Sequence, residues 1–412
     1  MTATDLSAAR PLWRGRALAL VGILLVAANL RTAVATMSPI YDQIGQDITL
    51  NGVVIGMLGM IPPIMFSLAG IASPRLARAT GLEWALVLGC CAMVVGPVLR
   101  AVAVDATMLG AGTIVALAGA GVGNILIPPA VKKYFPDRIG QMTAVYATTM
   151  SIGAALSPLA AAPVALEVGW RGWLMAWAVI GIACAAPWVV LALRHRRDLR
   201  SGDAVAPTHS ALAAPITQSR LAWMLALAHL VPTICVYAMF AWLPTIMHDI
   251  AGASEVQAGA MLSLFALMGL PAALFAPILG AKGWTTQLMI VGVVAFIAGF
   301  TGLLIAPAAA PWLWTGLIGA GPLVFPLLLA LFGLRTRSHH AATQLSGFVQ
   351  TIGYAGGAIG PLLVGTLHEV TGGWSIPLAA LLCISVVSII PAIALRRPVM
   401  LEDELAVVAA RG

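Results

Sequence analysis

Arg31 is the residue whose position most directly implies chemistry. It stands 14 residues into an apolar run that begins at Ala17, about 21 Å along a helix at 1.5 Å per residue. That is too deep for its guanidinium to reach a water boundary easily. A charge at such depth costs at least about 2.5–3.5 kcal/mol on insertion scales, so it faces a cavity, an ion or a partner. The apolar runs hold no clearly buried Asp or Glu to be that partner. On this reading an anionic ligand supplies the countercharge, and the planar fork of Arg suits a bidentate anion. The competing reading leaves Arg31 on backbone carbonyls, or on Asp42 and Asp47 beyond the run.

Other polar residues fall at similar depth. Ser346, Gln350, Gly353 and Tyr354 lie at i, i+4, i+7 and i+8, one face of a helix. Gln350 and Tyr354 stand about 10–17 Å from one membrane edge, and Tyr237 about 25 Å. Tyr146 and Thr149 form a matching patch. Each can donate a hydrogen bond to a small polar solute or, equally, bond a neighbouring helix. Asn29 sits about 200° round the helix from Arg31, so both cannot point into one cavity. Asn29, Thr32 and Thr36 make a stripe suited to helix–helix bonding. His229 is the one histidine inside a run; it can titrate near neutral pH and carry a coupling proton, or pack as a neutral ring. His339 and His340 fall in a loop, and Trp242 reads as an interfacial belt residue. Asn124 and Pro128, with Gly353, Gly357 and Pro361, mark kinks or hinges.

Several chemistries lack their residues. There is no HExxH, no GxSxG, no paired histidine in a run, no Walker motif and no CxxC or Cys/His metal spacing. An enzyme, an ATP-driven pump and a metal site are not expected, and no cofactor is implied.

These side chains must be positioned by membrane helices. Of 412 residues, 60% are hydrophobic and 9% charged, against about 25% charged in a soluble domain. A soluble enzyme, a nucleic-acid-binding protein and a disordered chain are excluded. Twelve apolar runs each approach the about 20 residues that a span needs: roughly 17–40, 51–73, 82–103, 107–130, 142–165, 172–193, 220–246, 256–279, 285–306, 312–334, 343–366 and 374–395. With both termini cytoplasmic, 19 of the 22 Lys and Arg residues lie inside, as the positive-inside rule requires. Only Arg100 and Arg171 fall outside, and Arg31 within a span. The net charge of +7 thus serves topology and anionic headgroups rather than DNA.

The second half of the chain repeats the first. Pro62-x-x-x-Phe66 matches Pro271-x-x-x-Phe275, and Leu117-Ala-Gly119-Ala-Gly121 matches Leu317-Ile-Gly319-Ala-Gly321. Gly153 to Pro158 matches Gly356 to Pro361, and each of that pair is followed by Glu-Val and then Gly-Trp. The order and the offsets of 200 to 209 predict two parallel six-helix bundles related by an axis along the membrane normal. The expected organisation is a bundle over 1–193, a cytoplasmic linker over 194–219, and a bundle over 220–412 with a short tail.

At this point the sequence resembles the major facilitator superfamily, and within it the cyanate/2-nitroimidazole porter branch. The resemblance covers nearly the whole chain. It is carried by Asn29-Leu30-Arg31, Pro74-Arg75-Leu76-Ala77-Arg78, Gly119-x-Gly121-x-Gly123-Asn124, and Lys132-Lys133-Tyr134-Phe135-Pro136-Asp137-Arg138. Gly169-Trp170-Arg171, Trp242-Leu243-Pro244, Leu345-Ser346-Gly347 and Gly353-Tyr354 add to it. The motif keeps Asn29 among the site candidates. The wider superfamily carries Gly-x-x-x-Asp-Arg-x-Gly-Arg after the second helix; here Pro74 takes the place of the acid. A latch would then rest on Arg75 or Arg78 against a helix C-terminal end.

The resemblance implies a secondary transporter in a cell membrane, working by alternating access on a small organic anion or weakly polar solute. Its partners would be that solute, the bilayer and, where coupled, protons. Efflux of neutral aromatic drugs such as nitroimidazoles is the second reading, and a membrane receptor that moves no solute is a third.

Overall fold

The computed structural model describes residues 16–135, 138–198, 214–337 and 339–410. The first residues and the middle of the expected 194–219 linker lie outside them. Among the described residues there are helices and no strands. Eleven segments are long and apolar enough to cross a bilayer. One of them covers 50 residues, about 75 Å of helix against about 30 Å of hydrocarbon. It turns at Gly169, whose φ of 76° and ψ of 157° are non-helical and which only glycine adopts freely. The chain is therefore an all-helical membrane protein of twelve passes.

Helix α1 is Ala17–Leu30, α2 Gly52–Thr80, α3 Leu82–Ala101 and α4 Ala106–Tyr134. Helices α5 and α6 are the parts of Ile139–Asp198 before and after Gly169. Helix α7 is Arg220–Ala251, and α8 joins Glu255–Leu267 to Gly269–Ala281. Helix α9 is Thr285–Ile305; α10 joins Pro311–Ala320 to Val324–Leu334. Helix α11 joins His339–Gly357 to Ile359–Thr371, and α12 joins Ser375–Val386 to Ile389–Ala394. His339 and His340 thus open a helix instead of lying in a loop. An even number of passes puts the start of α1 and the end of α12 on one face, here the termini face.

The breaks have local causes. The first run is not one helix to residue 40: α1 stops at Leu30, and short pieces follow at Thr32–Ala35, Ser38–Ile40 and Tyr41–Gly45. The Thr32 hydroxyl donates to Asn29 O at 2.8 Å and also bonds the Asn29 side chain, the kind of local bond that competes with the helix. Pro322 interrupts α10 and Pro361 follows the break in α11, each lacking the amide that would bond the previous turn. Pro361 O accepts the Trp242 indole N–H at 2.9 Å. Trp242 is therefore buried, 1% exposed, and not a belt residue. Helix α4 runs unbroken through Asn124 and Pro128.

The internal repeat returns in three dimensions. Trp170 Nε1 donates to Asp47 at 2.9 Å, and Trp374 Nε1 donates to Asp249 at 2.8 Å. The first pair adds Arg171, which pairs with Asp47 and lies 4.1 Å over the Trp170 ring. These donors hold the Asp47 carboxyl below the usual carboxylate range, Arg171 first and Trp170 second. In the second pair His368 stacks on Trp374 at 3.9 Å instead.

Helices before residue 198 meet those after 214 chiefly toward the face opposite the termini. Gly56 packs on Pro361 O, where an added Cβ would stand 3.0 Å away. Gly52 N–H donates to Glu369 at 3.0 Å, and Gln43 donates to Glu255 at 2.9 Å. The Ser263 hydroxyl donates to Ala155 O. This far face also gathers Asp42, Asp249 and Glu255. Partial desolvation raises the carboxyl of Asp42, an exposed residue, above its ordinary range; His248 opposes this, and Glu255 and Asp249 add to it. An acid raised in the closed arrangement binds its proton more tightly there. If opening of the far face parts Asp42 from Asp249 and Glu255 and relieves that shift, closure is favoured at lower pH and weakens as pH rises through the raised value. Spin-label distances across the far-face loops, taken at about pH 5 and about pH 8, should be longer at the higher pH in the wild type. Asp42→Asn, which mimics the protonated acid, should stay short at both.

Candidate functional site

A cavity of about 670 Å³ lies between the two groups of helices, within the about 300–1,000 Å³ usual for small-molecule sites. Toward the far face it ends on Phe240 and Phe265, packed edge to face at 5.3 Å. Toward the termini face it reaches Ile278 of α8 and Leu329 of α10.

Arg31 enters this cavity from the break in α1. Its Nη1 stands 3.5 Å from the Tyr237 hydroxyl, and its guanidinium lies 5.7 Å from the centre of the Phe66 ring. No carboxylate pairs with it among the described residues. One neutral hydroxyl and a ring face stabilise a cation weakly, so the site keeps capacity for an anion. The break matters here: it ends the regular helix at the one residue that must turn its charge inward.

An aromatic wall backs the guanidinium. Phe66 meets Tyr354 edge-on at 6.2 Å, Tyr354 meets Tyr237 at 6.4 Å and His229 at 5.1 Å, and His229 stacks on Phe325 at 5.4 Å. His229 is 2% exposed, and its Nε2 has no hydrogen-bond partner among the described residues. Gly353 makes room for that ring, because a Cβ there would run into it. Gly357 likewise sits against Thr233, and Gly360 against Ile234 O.

The structure thus brings together Arg31, Tyr146, Tyr237, His229 and Tyr354 on one cavity. It does not bring the others. Asn29 is buried, bonded to Thr32 and 3.9 Å from Cys184 Sγ on α6, as the 200° separation implies. Thr149 donates to Val145 O of its own helix, and Gln350 donates to Ser346; neither lines the cavity. Arg75 and Arg78 are exposed. Arg75 donates to Ile71 O of its own helix, so the expected latch is not formed in this conformation.

Two charged residues were misread in the sequence. Arg100, expected beyond the spans, is buried within the protein: it is 1% exposed, donating to Thr113 at 3.0 Å and to Ala33 O at 3.3 Å. It holds the chain just past the break at Arg31. An acid is buried after all: Glu83 is 2% exposed at the start of α3. Lys133 at 2.6 Å and Tyr134 at 2.5 Å satisfy it, far along the chain from Arg31. Phe66 and Phe325 were missed as wall residues. Phe66 had a signal, since it closes the repeated Pro-x-x-x-Phe motif; Phe325 had none.

Twelve passes around one central cavity, sealed at one face and lined by a buried cation, define a solute transporter of the membrane. The chain belongs to the Major Facilitator Superfamily, whose family model matches residues 20–361. It is 30% identical over 379 residues to a 2-nitroimidazole transporter of Escherichia coli (strain K12), covering 90% of this chain and 93% of that one. It is 23% identical over 362 residues to the cyanate transport protein CynX of the same organism, covering 86% and 91%. Its fold matches the inward-facing, unoccupied crystal structure of a bacterial homolog to the human lysosomal transporter Spinster, with a TM-score of 0.69 over 98% of this chain and 96% of that one, at 14% identity.

Proposed function

We propose that this protein carries a small organic anion across a cell membrane by alternating access between six-helix halves, 1–193 and 220–412, with both termini cytoplasmic. The observation that carries the reading is Arg31. Its guanidinium opens into a cavity of about 670 Å³, touches a tyrosine hydroxyl and a phenylalanine face, and has no carboxylate beside it among the described residues. An anion binding there exchanges hydration for a forked donor in a low-dielectric site, where such a bond is strong. Tyr237 and Tyr354 stand beside the guanidinium as neutral donors, and the far-face seal at Phe240 and Phe265 gives the cavity one sided access. The relative named for cyanate fits this class of solute.

A second reading is favoured by one observation. The wall of Phe66, Tyr354, His229 and Phe325 also suits a neutral planar ring, and a relative is named for 2-nitroimidazole. Uptake into proteoliposomes separates the two. Saturable uptake of cyanate or of a small aromatic carboxylate, with no uptake of a neutral nitroimidazole, supports the anion reading. Uptake of the neutral ring alone overturns it. Binding with no flux of either solute would make the protein a receptor.

A further inference from the structure

A second groove lies on the outer surface, between α2 and α11, with a volume of about 570 Å³. It is lined by small side chains, Ser67, Ala355 and Ala358, and by large apolar ones such as Ile64, Leu68 and Leu362. Leu68 is 53% exposed and Ile359 is 58% exposed, so the groove faces out of the protein within the membrane-spanning part of both helices.

The α2 wall of the groove continues to a charged end. Met60, Ile64, Leu68, Ile71, Arg75 and Arg78 follow one another at spacings of three and four residues, which places them on one helix face. Arg75 and Arg78 are exposed, at the termini-face end of α2. Arg75 reaches back to Ile71 O at 2.9 Å, which brings its guanidinium one turn nearer the apolar groove. From Ile64 to Arg75 is about 16 Å along the helix, close to the about 15 Å of hydrocarbon in one leaflet. The groove's lining on α2 stops at Leu68, about 10 Å along the helix from Arg75, so a phospholipid with its phosphate on the two cations would lay the far part of an acyl chain in the slot.

We propose that this groove is a binding site for one anionic phospholipid, with an acyl chain against Ser67, Ala355 and Ala358 and the headgroup phosphate on Arg75 and Arg78. Arg suits a phosphate oxygen pair through its forked donors. The small side chains leave room for an acyl chain, and a neutral headgroup would gain nothing from the two cations.

Native mass spectrometry of the purified full-length protein tests this. The protein is exposed to equal amounts of phosphatidylglycerol and phosphatidylcholine, and retained lipid is counted. The wild type should retain one phosphatidylglycerol with a preference of about tenfold or more, given the attraction of each surface Arg to anionic lipid. The paired substitution Arg75→Gln with Arg78→Gln should lose that preference, and Arg75→Lys with Arg78→Lys should keep most of it. Ala355→Trp, at an exposed position, should fill the slot and abolish retention of both lipids. Equal retention of the two lipids by the wild type overturns the site, as does a preference that survives the glutamine pair. Unchanged lipid retention in Ala355→Trp, with or without loss of solute transport, also overturns it and gives the groove to another occupant.

Discussion

Arg31→Gln should weaken binding of small organic anions by at least about a hundredfold, corresponding to about 2.7 kcal/mol, while the protein stays folded. The size follows from the setting. Truncating one partner of a buried, hydrogen-bonded charge pair costs about 2–5 kcal/mol, and Arg31 would be that partner for a bound anion. The stability side has the opposite sign. In the empty protein Arg31 is a cation with no carboxylate beside it among the described residues, held by Tyr237 at 3.5 Å. Removing an uncompensated charge from a low-dielectric site relieves its desolvation, so the apparent Tm of the ligand-free variant should hold or rise. Arg31→Lys keeps the charge but loses the fork, and should fall between the two. Thermal unfolding with cyanate, small aromatic carboxylates and neutral nitroheterocycles reads both effects, since a ligand of the folded state raises Tm. A fall in Tm without ligand, together with equal losses for anions and neutral rings, would falsify the role of Arg31 as an anion contact and leave it a structural residue.

The sequence made the fold plain for a physical reason. Every pass must satisfy its backbone internally in lipid, so twelve apolar runs and the Lys/Arg asymmetry leave little else to build. The paired motifs were legible for the same reason. Gly-Trp after the fifth and eleventh runs places one indole donor on one carboxylate in each half, Trp170 on Asp47 and Trp374 on Asp249. Arg31 was legible because a mid-span charge is rare. What depends on breaks in helices was not. A continuous periodic reading of the first run set Asn29 and Arg31 on opposite sides correctly, yet carried the helix through to residue 40. The Thr32–Asn29 bonds that interrupt it are local, but their effect shows only in the backbone. Arg100 was read as lying outside although it stands within the run 82–103; its side chain reaches inward to Thr113 and Ala33. Glu83 escaped notice because its partners, Lys133 and Tyr134, lie about fifty positions further on. Side-chain bonds between distant helices leave no spacing to read.

Gly353→Val should destabilise the protein by about 1–3 kcal/mol, the usual range for overpacking a core, and His229→Ala should restore most of the loss. Gly353 was expected to act as a hinge, and a hinge glycine would be damaged by any side chain whatever stands opposite. The structure gives a different reason for glycine here. A Cβ at 353 would stand 2.6 Å from His229 Cγ and 2.8 Å from Nε2, so the ring must leave its packed position. Phe325 stacks on it at 5.4 Å and Tyr354 meets it in a T-shaped contact at 5.1 Å. Trimming the imidazole opens the space that valine needs. The double-mutant cycle of Tm or of unfolding free energy should therefore show a coupling of about 0.5–3 kcal/mol, as contacting residues do. A hinge predicts none, and no rescue. The same cycle, read by solute binding, separates the histidine's two possible uses. If His229 only packs, His229→Ala should change affinity by less than about threefold, because no contact to solute is lost. If its unpartnered Nε2 donates to the solute or accepts from it, affinity should fall by about tenfold, the value of a hydrogen bond of about 1.4 kcal/mol, and the double variant should recover stability without recovering binding. Stability recovered alone thus places His229 in the site, and stability recovered together with affinity places it behind the wall.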